Sequence, residues 1–248
     1  MSQIKSNSDD VREFTSGAGQ ETPDNPCVMN YDEVIFLTKM ILDETMELMA
    51  TILPPKESKN IMKKLIDDSK DLPQEKYNEG EEYKKIADQA DALVDIYYYS
   101  LNAACKKGIN LSSIFNLVHS ANMAKRDPIT NKFLKREDGK IIKPKGWKPP
   151  DVEGEIKRQL IEGSFRNLNS IDRIDRINLI KNKLKKRHNE LISKGNTMDG
   201  TQSHECYMKA KKITDEIEYF DKQQKKILLK QYLNSATVNN NILNKLVE

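Results

Sequence analysis

Apolar residues recur at helical spacing through most of the chain. Val34, Thr38, Ile41, Thr45, Leu48 and Ile52 fall on one side of a 3.6-residue repeat. Ile35, Leu42 and Met49 lie beside them, and Pro54-Pro55 forbids continuation, so a helix is predicted over 31–53. A second helix is expected over 56–71, followed by a Pro/Asn/Gly break at 72–80. A third runs over 81–106 and stops at Gly108, a usual C-terminal glycine. Asn110 or Ser112 can cap a fourth helix over 112–125, which Pro128 ends. Asp138-Gly139, between FLKR and KIIK, reads as a tight turn of a small hairpin. The Pro-rich run from Pro144 to Pro150 forms a natural boundary. Beyond it, two long helices are predicted over 167–194 and 203–234, joined by the polar loop 195–200. Ile177, Leu184 and Leu191 repeat every seven residues, and Ile213, Ile217, Phe220 and Ile227 mark a facing stripe. This is the pattern of a helical hairpin or coiled coil. The predicted class is all-α: a partly ordered segment 1–30 with Val11 and Phe14 as anchors, a helical domain over 31–153, and a helical extension over 154–248 whose last dozen residues fray.

Composition agrees with this pattern. The 248 residues are 37% hydrophobic and 32% charged, with only 10 Gly and 9 Pro, which suits helices better than a turn-rich β fold. Charge adds a division that the periodicity does not show. Residues 155–248 hold 19 Lys and Arg against 12 Asp and Glu, leaving 22 against 26 in 1–154. An acidic first part and a basic second part suggest units with different jobs. Three distant cysteines (Cys27, Cys105, Cys206) have neither metal-ligand spacing nor a disulfide framework, so a reducing compartment is expected. The N-terminus has no apolar run of the signal-peptide kind, and no stretch approaches the ~18 apolar residues of a membrane span. The expectation is a soluble, cytoplasmic protein with no membrane partner. Its Lys/Asn/Ile-heavy usage suits an AT-rich genome, large viruses included.

The carboxylates carry the candidate chemistry. Glu44 and Glu47, three residues apart, project from one side of the first predicted helix, at the edge of its apolar stripe. By themselves they fit a solvated helix face better than a site. On the third helix, Asp88, Asp91 and Asp95 fall within about 60° of one another on a helical projection. Asp95 is the one charge in Leu93–Leu101, a segment apolar on nearly every side. Such segments are usually buried, and a buried, unpaired carboxylate is costly. A metal, a cation or a structural hydrogen bond is therefore expected at Asp95. Carboxylates from two helices would offer hard oxygen ligands to Mg²⁺, with Mn²⁺ as the alternative ion. They would also repel a polyphosphate unless divalent ions stood between, and a remaining carboxylate could take a proton as general base.

Cations for the substrate side follow. Asn122, Lys125 and Arg126 close the fourth helix, where Lys and Arg are also ordinary dipole partners. Lys140 and Lys143 lie beyond the Asp-Gly turn. His119 shares a helix face with Asn122 and fits either substrate contact or helix-end packing. Trp147 could stack on a base, although pinning its loop to the helices is the better expectation. Tyr97-Tyr98-Tyr99 reads mainly as core. His188 and His204 read as solvated, and Lys183, Lys185, Lys186 and Arg187 read better as a charged helix face than as a nucleic-acid patch.

Taken in order, these segments resemble the MazG-like all-α NTP pyrophosphohydrolases, and most of all their phosphoribosyl-ATP pyrophosphohydrolase-like branch. The matching pieces are Val11-Arg12-Glu13-Phe14 with Gly19-Gln20, Asp43–Leu48, Asp91–Tyr98, Gly108–Leu111, Val118–Lys125, and Asp138-Gly139-Lys140 leading to Lys143-Pro144 and Pro149-Pro150-Asp151. The resemblance implies a four-helix-bundle domain assembled into dimers or tetramers. It also implies Mg²⁺-dependent cleavage of a nucleoside triphosphate between the α and β phosphates. Metal ligands would be Glu44, Glu47 and Asp95 with Asp91, and Asn122 and Lys125 would contact phosphate or sugar. Two departures stand out. The family's second motif has Glu three residues before its Asp, where this chain has Ala92, so Asp91 or Asp88 must complete the set. The link over 54–82 is also longer than usual. A second class of function therefore stays open, a catalytically degenerate interaction or nucleic-acid-associated protein on the same scaffold, and the extension is expected to mediate self-association.

Overall fold

The computed structural model describes residues 5–69, 71, 77–137, 139–165 and 168–247, with side chains to residue 234. Its elements are α1 (Asn7–Gly17), α2 (Tyr31–Ala50), α3 (Pro55–Asp67), α4 (Glu82–Lys106), α5 (Leu111–Met123), α6 (Val152–Glu162), α7 (Ser170–Asn196) and α8 (Gly200–Val247). Among the described residues, extended pairing is confined to two isolated antiparallel bridges, Arg126–Phe133 and Lys135–Ile141. The all-α expectation holds. Residues 72–76 of the expected break, Asp138 of the Asp-Gly turn and Asn167 of the expected helix start lie outside the described residues.

The chain divides into two compact units, Met1–Ala103 and Ala104–Glu248, and the Pro-rich run lies inside the second. In the first unit, α1 forms where the sequence pattern suggested only two anchors. Its signal is a capping box: the Ser6 hydroxyl accepts from the Asp9 N–H, and the Asp9 carboxylate accepts from the Ser6 N–H. Asn30 and Glu33 build the same motif at the start of α2. The Gln89 amide of α4 pairs with both backbone groups of Met29, at 2.9 and 3.0 Å, tying the lead-in of α2 to α4. Pro54-Pro55 separates α2 from α3, and the two helices pack against each other.

One expectation about α4 is corrected. Asp95 is exposed, as is every residue from Asp91 to Ser100, and neither α2 nor α4 has a buried residue. Val94 is 60% exposed and Tyr98 66%, so the tyrosines are not core. The physical reason is plain. An apolar run is buried only where something covers it, and among the described residues this stretch of α4 gains only an edge contact, from Asn7 to the Tyr97 hydroxyl, and an open cleft beside α2.

The second unit has a conventional core. α7 and α8 form the expected antiparallel hairpin, closed over Ile177 and Phe220 with Ile161 of α6. The helix over 152–162 is an addition to the pattern. Asp151 caps it by accepting from the Gly154 N–H at 2.9 Å. A Cβ at position 154 would meet that carboxylate at 2.2 Å, so a larger residue there would push the capping side chain aside. Gln159 of α6 is buried and clamps the start of α5. Its oxygen accepts from the Asn110 N–H, and its amide donates to the Asn110 carbonyl and the Ser113 hydroxyl. α8 runs to Val247, past the expected end at 234, consistent with the absence of Gly and Pro beyond Gly200. The three cysteines are free, and no helix among the described residues is long and apolar enough to cross a membrane.

Candidate functional site

In the first unit, α2 and α4 flank an open cleft of about 350 Å³ lined by Met40, Ile41, Glu44, Thr45, Leu48, Ile96 and Ser100. Glu44 is the carboxylate on its wall. Glu47 sits about 60° round the same helix, and Asp95 precedes cleft-lining Ile96 by one residue. Glu44, Glu47, Asp91 and Asp95 are all exposed and make no ion pair with the described residues, while Asp88 accepts a hydrogen bond from the Tyr77 hydroxyl at 2.9 Å. Among the described residues, these carboxylates do not form a group of three with oxygens within 4.8 Å of one another. As a donor set they suit a hard divalent ion: all oxygen, anionic, and unpaired with any Lys or Arg among the described residues.

In the second unit, three of the expected substrate contacts come together at the end of α5. Lys125 Nζ donates to the Asn122 side-chain oxygen at 2.7 Å. The ammonium of Lys143 stands 4.3 Å from the centre of the Trp147 ring, and that of Lys125 stands 5.8 Å from it. Backbone chemistry explains the convergence. The Lys125 N–H turns to the Asn122 carbonyl rather than to that of Ala121, and the Trp147 indole N–H donates to the Ala121 carbonyl at 2.8 Å. Pro144-Lys145-Gly146-Trp147 forms the turn that delivers the ring, with Gly146 at φ +85° and the Trp147 N–H bonded to the Pro144 carbonyl.

Electrostatically this is a cationic corner. Burial, followed by the charge of Lys143, lowers the pKa of Lys125. No carboxylate among the described residues pairs with either lysine. Lys140 lies on the small hairpin, where its carbonyl accepts from the Arg136 N–H. His119 is half-buried with its ring stacked on Phe115, the centroids 6.2 Å apart. The use of Trp147 as a ring shared by two ammonium groups was missed by the sequence reasoning. Its signal was the spacing Lys143-Pro144-x-Gly146-Trp147, a turn that returns the ring toward the lysine.

No family model matches the sequence, and no curated protein matches it. In structure, the chain is similar to a candidate NTP pyrophosphohydrolase from Exiguobacterium sp. 255-15, with a TM-score of 0.55 and 24% sequence identity. The match covers 63% of this chain and 97% of that one. At this identity it is the fold that is shared, an all-α fold of the kind found in that protein.

Proposed function

We propose that the protein is a nucleoside triphosphate pyrophosphohydrolase, cleaving a ribo- or deoxyribonucleotide between the α and β phosphates to monophosphate and pyrophosphate. The observation that carries this reading is the fold shared with a candidate enzyme of that class over nearly the whole of that enzyme. The order of the acidic and cationic segments in the sequence supports it. In this reading Glu44, Glu47 and Asp95, with Asp91 or Asp88, hold Mg²⁺ or Mn²⁺. The ion, when bound, supplies positive charge between the carboxylates and the polyphosphate. One of Glu44 and Glu47 accepts the proton of the attacking water as general base. Asn122, Lys125 and Lys143 hold phosphate oxygens, with His119 and Lys140 as further contacts.

The test is release of pyrophosphate from a panel of NTPs and dNTPs with Mg²⁺. Glu47→Ala should lower turnover by at least about a hundredfold, as expected for loss of a general base or ligand. If no nucleotide yields pyrophosphate, the enzyme reading fails. A helical interaction protein on the same scaffold would then be the better description.

A further inference from the structure

The corner at the end of α5 holds two like charges, and no carboxylate among the described residues pairs with either. Lys125 is half-buried and Lys143 exposed, and a half-buried ammonium ordinarily finds a carboxylate, because it loses hydration there. Among the described residues their partners are the Asn122 side-chain oxygen, at 2.7 Å from Lys125, and the ring of one indole. Both ammonium groups are measured from the same ring centre, so they stand no more than about 10 Å apart. The ring is itself fixed, since its N–H is bonded to the Ala121 carbonyl and its backbone N–H closes the turn from Pro144. The two ammonium groups sit on flexible stems and the indole does not.

We infer that Trp147 is a positioning residue that holds Lys125 and Lys143 as a two-ammonium receptor for a condensed phosphate group. In the resting state the indole ring serves as a weak counter-charge, keeping both ammonium groups beside it without a salt bridge that a ligand would have to break. A diphosphate presents oxygens on two adjacent phosphorus atoms and can engage both ammonium groups at once, whereas a monophosphate has only one phosphorus to offer. The ammonium groups leave the ring for the phosphate oxygens, and Asn122 keeps Lys125 aimed at the same place. This rests on the proposed pyrophosphohydrolase reading only for which ligand meets the receptor in use. The condensed phosphate could be free pyrophosphate or the tail of a nucleotide.

Trp147 is the chain's single tryptophan, so its emission reports this corner alone. The full-length chain is titrated with sodium pyrophosphate, without divalent ions and at constant ionic strength. Parallel titrations use a non-hydrolysable nucleoside triphosphate, a nucleoside monophosphate and sulfate. Saturable change in emission is expected with pyrophosphate and the triphosphate analogue, and about tenfold weaker change with monophosphate and sulfate. Comparable affinity for the analogue and for pyrophosphate marks the phosphates as the recognised part. A much tighter analogue marks a nucleotide tail as the natural source.

Lys143→Met should abolish the emission response with the far-ultraviolet circular dichroism unchanged. By calorimetry, Trp147→Leu should weaken pyrophosphate binding about tenfold, and Trp147→Phe, which keeps a ring face, should restore most of it. The inference is overturned if pyrophosphate leaves the emission unchanged, or if Trp147→Leu lowers stability while pyrophosphate affinity stays the same. Failure of the two readings can be told apart. Pyrophosphate binding here without any nucleotide turnover removes the enzyme and keeps the receptor, and turnover with a silent tryptophan does the reverse.

Discussion

At the scale of single residues, the clearest lesson comes from Asp95. A lone charge in an apolar run predicts burial and a partner, yet in this chain it is wet, because the run itself is uncovered. Sequence states which side chains want to leave water, and it does not state what will take them in. Glu155 is the opposite case. It drew no attention as a sequence position, but the Arg158 guanidinium forks onto it at 2.7 and 2.6 Å, with help from Ser113 and Gln159. Those contacts bring its pKa down from 4.5 to about 2. In the unfolded chain the group protonates near 4.5, while the folded chain resists until about pH 2. The stability it contributes is thus present above pH 4.5 and is lost as pH falls toward 2. Arg158 is partly exposed, so solvent screening reduces the contribution to about 1–2 kcal/mol. Glu155→Gln should lower stability by that amount at pH 7. The difference from the natural chain should close between pH 4.5 and 2, as read from denaturant unfolding across that range.

At the scale of elements, the sequence was most legible where apolar periodicity was longest. The hairpin of α7 and α8 follows directly from its two stripes, and Ile177, a position of the seven-residue repeat, is fully buried between them and α6. Ile177→Ala should cost about 2–5 kcal/mol, measurable as a lower denaturation midpoint of the second unit. An unchanged midpoint would mean that the α6–α7–α8 core does not hold that unit together. α1 and α6 were less legible because each is only 11 residues long and their capping signals, Ser6 with Asp9 and Asp151 with Gly154, lie in turn-like sequence. Short helices depend on caps and tertiary contacts more than on periodicity. The end of α5 shows the same limit. Lys125 and Lys143 could be named from sequence as cations, but only the turn at Gly146 and the indole bond to Ala121 reveal that they share a ring.

At the scale of the whole molecule, the unburied helices of the first unit are the dominant feature. Leu48 on α2, Ile52 in the turn after it, and Val94 and Tyr98 on α4 lie well exposed with no described element over them. Contiguous apolar surface of this kind marks an interface. The proposed occupant is a second copy of the chain, which would complete the bundle with its own α2 and α4. Light scattering should therefore give a multiple of the 28.6 kDa chain mass, and Val94→Asp combined with Tyr98→Asp should shift it to a single chain. A natural chain that runs as a monomer would refute this. If the assembly forms, pyrophosphate release should fall with it, since the carboxylates of α2 and α4 stand beside that same apolar surface.

The sequence by itself determined the helical class, the bounds of the long helices to within a few residues except at the C-terminal end of α8, and the chemical types gathered near each. Those properties are local: spacing, capping and the exclusion of Pro and Gly act over a few turns of chain. Only tertiary structure decided that Gln159 clamps α5, that Trp147 collects two lysines, and that the apolar face around Asp95 is left open. Each depends on what another part of the chain brings into contact range. Hydrophobicity drives burial without direction, whereas hydrogen bonds and ring faces act only at short range, so partners become visible when the fold has placed them.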